Sequence, residues 1–165
     1  MSEIYFGYFR APFFYVGFVR LGEEFVRVGF YRDLGEFEEE VKAGYPSARR
    51  DDGVFRDFVE DLEAYFSGER VEFDHPFRAE GTRFQLEVWD ETRRIPFGET
   101  RSYGWVAARI GRPRAARAVA NALRSNRLVL IIPCHRVVRK TGEVAGRGFG
   151  RKVREYLIRL EQASR

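Results

Sequence analysis

Opposite charges in the two halves of the chain are the feature that most constrains its organisation. Residues 1–75 hold 9 basic and 17 acidic side chains, a net charge of −8, whereas residues 76–165 hold 20 and 8, a net charge of +12. The sign changes around Asp74, His75 and Pro76, where the composition is typical of a linker, and His75 is interpreted as a linker residue. We therefore predict two domains, an N-terminal support domain over residues 1–75 and a functional domain over residues 76–165.

The N-terminal domain is predicted to be an antiparallel sheet covered by helices. Residues 4–9, 13–20 and 25–31 are dense in Phe, Tyr and Val, which favour strands. An acidic helix is predicted over residues 34–42, and apolar side chains recur at helical spacing over residues 54–66. The carboxylates of this domain lie on helix faces where exposure to solvent explains them, so no catalytic group is expected here.

The C-terminal domain has a helical pattern. Apolar side chains recur at helical spacing from Phe84 onward. Ser102 is a candidate N-cap for a helix over residues 103–110, and Pro113 fits the first position of a following helix that ends near Arg124. Two short helices joined by a Gly-containing turn have the form of a helix-turn-helix. The fold class is therefore α+β, with an antiparallel N-terminal sheet and a mostly helical C-terminal domain.

The second helix of this pair is basic and otherwise almost bare. It carries Arg114, Arg117 and Arg124 among five alanines. Small side chains let a helix approach a narrow groove, where one Arg can enter the base stack, although alanine also simply favours helix. Only three of the 29 basic residues of the chain are Lys, and Arg suits bidentate contact with phosphate. The charge pattern predicts a nucleic-acid binder.

The only cysteine of the chain, Cys134, is the candidate nucleophile. It follows an apolar run, Leu128–Ile132, that is predicted to be a buried strand, and Pro133 ends that run. His135 stands beside it, and a neighbouring base makes a thiolate available near neutral pH. The residues alone leave open a second interpretation, in which Cys134 is a structural thiol beside a surface histidine.

The numbers of cysteine and histidine residues exclude two kinds of stabilising cross-link. One cysteine excludes an internal disulfide framework, and one Cys with two His is too few for a structural zinc site. The chain shows no charged-then-apolar leader and no apolar stretch long enough to span a bilayer. We therefore expect a cytoplasmic protein, associated with the nucleoid if the source is prokaryotic, with no metal, no cofactor and no membrane partner.

The stretch after the thiol is predicted to be a glycine-rich loop and a closing helix. Gly146, Gly148 and Gly150 allow backbone groups to approach a flat ligand, although the pattern is not that of a P-loop. A helix is predicted over residues 151–162, with Glu161 close to its end.

Several of these segments together resemble the O6-alkylguanine-DNA alkyltransferase family. The resemblance rests on Pro-Cys-His-Arg-Val-Val at residues 133–138, on Arg117-Ala118-Val119 and Asn126, and on Pro-Phe-Gly-Glu-Thr-Arg-Ser-Tyr-Gly at residues 96–104. It covers residues 81–161 in order and spacing. It implies single-turnover DNA repair by a methylated-DNA–protein-cysteine S-methyltransferase, with a ribonuclease H-like N-terminal domain and a C-terminal domain that binds DNA and accepts the alkyl group.

The resemblance also implies catalytic roles. Cys134 would attack the alkyl carbon on O6 of guanine and keep the alkyl group as a thioether. His135 would act as the base through a water, and Glu161 would orient and charge it, in the logic of a catalytic triad. Asn126 would hold the turn between the recognition helix and the active site.

DNA contacts follow from the same resemblance, with double-stranded DNA containing O6-alkylguanine as the partner of a monomeric protein. The helix-turn-helix would enter the minor groove and flip the target base out of the duplex. Tyr103 would drive this rotation and Arg117 would fill the vacated stack. The implied DNA-binding residues are Tyr103, Gly104, Arg112, Arg117, Arg124 and Lys140, and the implied pocket residues are Leu123, Arg147 and Gly148.

Two positions depart from the family's pattern. Arg147 stands where many members have Tyr, and Phe149 stands where a small residue is common. The loop is bulkier and more basic than usual, so we expect repair of O6-methylguanine with poor reaction of benzyl-type adducts. The zinc ligands that some relatives carry in the N-terminal domain are missing.

Three alternative functions predict different features. A non-catalytic lesion-binding relative would lack the nucleophile that Cys134 supplies. A transcription regulator with a redox- or alkylation-sensing cysteine predicts sequence-specific binding in the major groove. A thiol hydrolase of esters or amides predicts repeated turnover.

Overall fold

The computed structural model describes residues 3–164, in which an N-terminal sheet with two helices packs against a C-terminal group of helices. This arrangement confirms the predicted α+β class. No helix in that part of the chain combines the length and the apolar character needed to cross a membrane. The N-terminal elements are β1 Ile4–Arg10, β2 Tyr15–Leu21, β3 Glu24–Tyr31, α1 Leu34–Gly44, β4 Arg49–Arg50 and α2 Arg56–Phe66.

Alternation along the strands gives the N-terminal sheet two apolar faces. The strand order is β3-β2-β1-β4, with β1, β2 and β3 antiparallel and the two-residue β4 parallel to β1. On β2, Phe18 packs against Phe58 of α2, whereas Val19 belongs to the core formed with Phe37 of α1. The sheet is therefore sandwiched between its two helices, as period-2 burial requires.

The outer edge of β3 attaches the rest of the chain to this sheet. The backbone of Phe25 exchanges hydrogen bonds with the linker, donating to Pro76 O at 2.8 Å and accepting from Arg78 N at 2.9 Å. Further along the strand, Val28 N donates to Arg127 O at 2.8 Å, and Val28 O accepts from Val129 N at 3.1 Å. The segment that leads to the thiol is thus held by the N-terminal sheet.

The C-terminal elements surround the thiol-bearing segment. Ser102 caps α4, since its side chain accepts a hydrogen bond from Trp105 N at 3.0 Å, as its position in the sequence predicts. Strand β5 pairs in parallel with β6. The elements are α3 Arg83–Thr92, β5 Arg101–Ser102, α4 Tyr103–Arg109, α5 Ala116–Arg124, β6 Val137–Val138 and α6 Gly148–Ala163, with a 3₁₀ turn over Cys134–Arg136.

The predicted strand over Leu128–Ile132 is wrong. Only its first residues pair with β3, and the chain then reverses in a tight turn in which Ile132 N donates to Leu128 O at 2.8 Å. Leu130 takes a left-handed φ of 72° to allow this reversal. The run is apolar because it is buried, and burial alone does not distinguish a strand from a turn.

Two helix boundaries and the environment of His75 also differ from the sequence prediction. Helix α5 begins at Ala116, so Pro113 is not its first residue and lies instead in the preceding turn. Helix α6 begins at Gly148, which places Gly150 inside the helix rather than in a loop. His75 is more than a linker residue, because its Nε2 lies 2.6 Å from Asp61 Oδ2 and its ring packs against aromatic side chains of the core.

Gly17→Ala tests how closely α1 approaches the sheet. A Cβ at position 17 would lie 2.5 Å from Cδ1 of Phe37, which is fully buried and cannot move aside. We expect the free energy of unfolding to fall by about 1–3 kcal/mol, measured by chemical denaturation. Gly44→Ala is the control, because no atom lies within 4 Å of its added Cβ. Equal stability of the two variants would contradict this packing.

Candidate active site

A buried carboxylate, that of Glu161, organises the site around the thiol. It is 3% exposed and accepts five hydrogen bonds. Its Oε1 accepts from Arg136 Nε at 2.8 Å and from Gly98 N at 3.1 Å. Its Oε2 accepts from Tyr65 Oη at 2.6 Å, from His135 Nε2 at 2.5 Å and from Arg136 Nη2 at 3.3 Å.

These donors decide the charge of Glu161 and the tautomer of His135. Burial by itself would raise the pKa of Glu161, but the charge and hydrogen bond of His135 and those of Arg136 outweigh it and hold the pKa well below its usual range. An ionised carboxylate only accepts hydrogen bonds, so Nε2 of His135 carries a hydrogen. In the neutral ring Nδ1 then keeps a lone pair and can act as a base.

The reactive residues lie on one short turn. The 3₁₀ turn over Cys134–Arg136 points both His135 and Arg136 at Glu161, and Arg136 Nη1 also donates to Ile95 O at 2.9 Å. Strand β6 follows the turn directly and pairs with β5, which precedes Tyr103. Two backbone pairings therefore bring the start of the helix-turn-helix beside the thiol.

Cys134 itself is partly exposed and is not strongly activated. Burial raises the pKa of its thiol, while the hydrogen bond from Asn126 and the positive charge of Arg154 act in the opposite direction. Because the net pKa is raised above its ordinary value, the thiol is protonated at neutral pH and needs a base when it reacts.

Asn126 ties together the two ends of the turn that precedes the thiol. Its Oδ1 accepts from Leu128 N at 2.9 Å, and its Nδ2 donates to Ile132 O at 2.9 Å. The side chain therefore takes the place of a backbone partner for a segment that has no neighbouring strand over most of its length.

The start of α4, the start of α5 and the loop after β6 enclose an open groove of about 620 Å³. Three of the residues implied to bind DNA line it together, namely Tyr103, Gly104 and Lys140. Burial raises the pKa of the Tyr103 hydroxyl, which is therefore neutral. The groove is lined by Ser102, Tyr103, Gly104, Ala116, Arg139, Lys140, Thr141 and Glu143.

The other residues implied to bind DNA lie on or next to α5. Arg112, Arg117 and Arg124 are all exposed. The guanidinium of Arg112 lies 5.9 Å from the ring centre of Phe84, and Arg124 Nη1 donates to Asn121 Oδ1 at 2.9 Å. Arg117 is the member of this group for which no such contact is seen within residues 3–164.

The three pocket residues that the resemblance implies differ in exposure. Leu123 is buried and belongs to the main hydrophobic core. Arg147 is exposed, and Gly148 follows it with a left-handed φ of 73° at the start of α6. Phe149 is half-buried, and the guanidinium of Arg32, from the N-terminal domain, lies 5.0 Å from its ring centre. Phe149, in the first turn of α6, is therefore braced by a residue that follows β3.

Sequence reasoning missed two members of the site, Tyr65 and Arg136. Tyr65 lies on the apolar face of α2, and a buried tyrosine needs a partner for its hydroxyl. Arg136 lies inside the motif, and a buried arginine needs a counter-charge. Burial of either polar group indicates that it has a partner, but it does not identify that partner. Residues 3–164 contain no group of three or more His, Cys, Asp or Glu side chains that could hold a metal ion.

Comparison with known proteins extends the match to both halves of the chain. The family model of the 6-O-methylguanine DNA methyltransferase ribonuclease-like domain matches residues 4–79, and that of the DNA binding domain matches residues 83–163. The methylated-DNA–protein-cysteine methyltransferase of Methanosarcina acetivorans is 46% identical over 107 residues, 65% of this chain and 69% of the relative. The chain belongs to the methylated-DNA–protein-cysteine methyltransferase family.

Other methyltransferases of this family are similar to this chain in sequence and in structure. The Mycobacterium tuberculosis enzyme is 46% identical over 113 residues, 68% of each chain. The crystal structure of Mycobacterium tuberculosis O6-methylguanine methyltransferase superposes with a TM-score of 0.82 at 33% identity, covering 100% of this chain and 95% of the other. The Mycobacterium tuberculosis protein in complex with DNA gives 0.83 at 34% identity, covering 96% and 92%. The family resemblance and the ribonuclease-like N-terminal domain are both confirmed.

Glu161→Gln tests the buried carboxylate. We expect the free energy of unfolding at neutral pH to fall by about 3–5 kcal/mol, because Arg136 is left buried without a counter-charge. Urea denaturation measures the difference. Glu38→Gln, an exposed change on α1, is the control and is expected to shift stability by no more than about 0.5 kcal/mol.

The difference in the free energy of unfolding between the wild type and Glu161→Gln is expected to depend on pH. The pKa of Glu161 is lowered in the folded chain and returns near its ordinary value of 4.5 on unfolding. The stabilisation that ionised Glu161 gives to the folded chain is therefore complete above that pH. It declines as the pH falls, because the carboxyl group is then protonated more readily in the unfolded chain than in the folded chain. The advantage of the wild type over Glu161→Gln should shrink between pH values of about 5.5 and 4. A difference independent of pH over this window would contradict the assignment.

Proposed function

We propose that this protein repairs alkylated DNA directly, by one irreversible transfer of the alkyl group from O6 of guanine to Cys134. The observation that carries the proposal is the buried Glu161–His135 pair, whose histidine directly follows the only thiol of the chain on the same 3₁₀ turn. Membership of the methyltransferase family supports the same reaction. The main substrate is O6-methylguanine in double-stranded DNA.

His135 and Glu161 supply the base for this transfer. Nδ1 of His135 takes the thiol proton through a water, and Glu161 stabilises the imidazolium that forms. The thiolate attacks the alkyl carbon, so that the sulfur–carbon bond forms as the carbon–O6 bond breaks. The proton held by His135 then passes to the guanine anion that forms, so that unmodified guanine remains in the DNA. The resulting thioether has no route back to a thiol, so each molecule reacts once.

DNA binding is proposed for the groove and the exposed arginines of α5. The net charge of residues 76–165 attracts the phosphate backbone, and the alanine-rich face of α5 fits a minor groove. Tyr103 and Gly104 would contact the backbone of the flipped nucleotide, with Lys140 across the groove, and Arg117 would occupy the vacated stack. Flipping costs a few kcal/mol and least for a badly paired base, which favours the lesion.

We propose the division into residues 1–75 and 76–165, with the first domain supporting the second. One chain carries every reactive group, so a monomer suffices. The reaction uses the protein's own thiol and imidazole and requires neither cofactor nor metal. A reduced thiol and a DNA substrate are consistent with action in the cytoplasm, on the nucleoid in a prokaryote.

Alkyl transfer is tested by incubating the protein with duplex DNA that contains O6-methylguanine. Mass spectrometry should find one added methyl group on the peptide that holds Cys134 and none after Cys134→Ala, and the yield should be one methyl group per molecule. Repeated turnover would indicate a hydrolase instead. If the wild-type protein gains no methyl group from this DNA, the proposed function is contradicted.

The loop after the thiol, together with the first turn of α6, is proposed to limit adduct size. Phe149 is held by Arg32, and Arg147 adds bulk next to it. We expect a benzylguanine probe to label Cys134 at least about tenfold more slowly than methylated DNA reacts, and Phe149→Ala to recover much of this difference. Phe13→Ala, a change at an exposed aromatic residue outside this loop, is the control. Equal wild-type rates with both substrates would disprove the size limit.

A further inference from the structure

We propose that Tyr65, on helix α2 of the N-terminal domain, is a positioning residue for alkyl transfer whose hydroxyl restrains Glu161 against His135. The inference rests on the proposed function and adds a residue to it. It also gives the N-terminal domain a part in the chemistry beyond support.

The geometry places Tyr65 inside the charge network. Its hydroxyl donates to Oε2 of Glu161 at 2.6 Å, and the same oxygen takes the hydrogen bond from His135 Nε2. Tyr65 is fully buried, and its ring packs edge-on against Phe73 at 5.1 Å and Phe97 at 6.0 Å between ring centres. The ring therefore has little room to swing, and the hydroxyl holds the carboxylate in one rotation.

Tyr65 acts as a donor over the whole working range of pH. Burial and the negative charge of Glu161 raise the pKa of its hydroxyl well above the ordinary value, so it stays protonated. A neutral donor draws negative charge away from Oε2. Without it, the potential around His135 and the neighbouring thiol becomes more negative, so the Cys134 thiol loses its proton less readily.

Other groups also act on this pair and stay in place when the Tyr65 hydroxyl is removed. Cys134 is faced by Arg154 from α6 and by Tyr103 from α4, and His135 is faced by Glu161 from α6 and has Arg136 on its own turn. The charged groups beyond Tyr103 are Arg124 and Arg139. A shift in titration between wild type and Tyr65→Phe therefore reports the hydroxyl.

Tyr65→Phe tests the proposal, with Tyr31→Phe as the matched control. Tyr31 is also buried in the N-terminal domain and also donates to a carboxylate, that of Glu40, but it belongs to the other core cluster. We expect Tyr65→Phe to move the acid limb of Cys134 alkylation by iodoacetamide upward by about half a pH unit. Methyl transfer at neutral pH should slow by about 3- to 10-fold with DNA affinity unchanged. Tyr31→Phe should show neither change.

A second substitution at position 65 should shift the acid limb of Cys134 alkylation in the opposite direction. It also tests the proposal if Tyr65→Phe is too unstable to measure. A ring-fluorinated tyrosine at position 65 is a stronger donor of similar size and should move the acid limb downward. Unshifted limbs in both variants, with only a lower melting temperature, would overturn the inference and leave Tyr65 a structural residue. Iodoacetamide needs no DNA, so its profile tests Tyr65 even where a failed methyl transfer has overturned the proposed function.

Discussion

An ionised carboxylate in the interior of a protein is stable only when donors surround it, and the rest of this structure depends on that requirement at Glu161. The donors come from helix α2, from the loop after α3 and from the turn that holds the thiol. Meeting the requirement brings both halves of the chain together at one point. The position and tautomer of His135 follow from the same contact.

The thiol is placed by backbone pairing rather than by regular secondary structure of its own. The edge of β3 holds the segment before it, Asn126 closes the intervening turn, and β6 ties the segment after it to the start of the helix-turn-helix. Because the pKa of this thiol is raised, it is a poor nucleophile until a base takes its proton. This suits a protein that can react only once.

Local patterns predicted most of the fold, and distant contacts account for the errors. Runs dense in Phe, Tyr and Val identified the three strands, and Ser102 identified the start of α4, because both signals lie within a few residues. The apolar run Leu128–Ile132 predicts a strand, but β3, its partner far away in the sequence, pairs with only its first residues. Tyr65 was missed for a similar reason, since its partner lies 96 residues away.

The tautomer of His135 is the most direct test of the central role of Glu161. The chain contains two histidines, so ¹⁵N-detected NMR of labelled protein can assign both rings, with His75→Gln identifying the other one. The structure requires that, in the neutral ring of His135, Nε2 carries the hydrogen and Nδ1 has the chemical shift of an unprotonated nitrogen. Finding the hydrogen on Nδ1, or an even mixture of tautomers, would contradict the account.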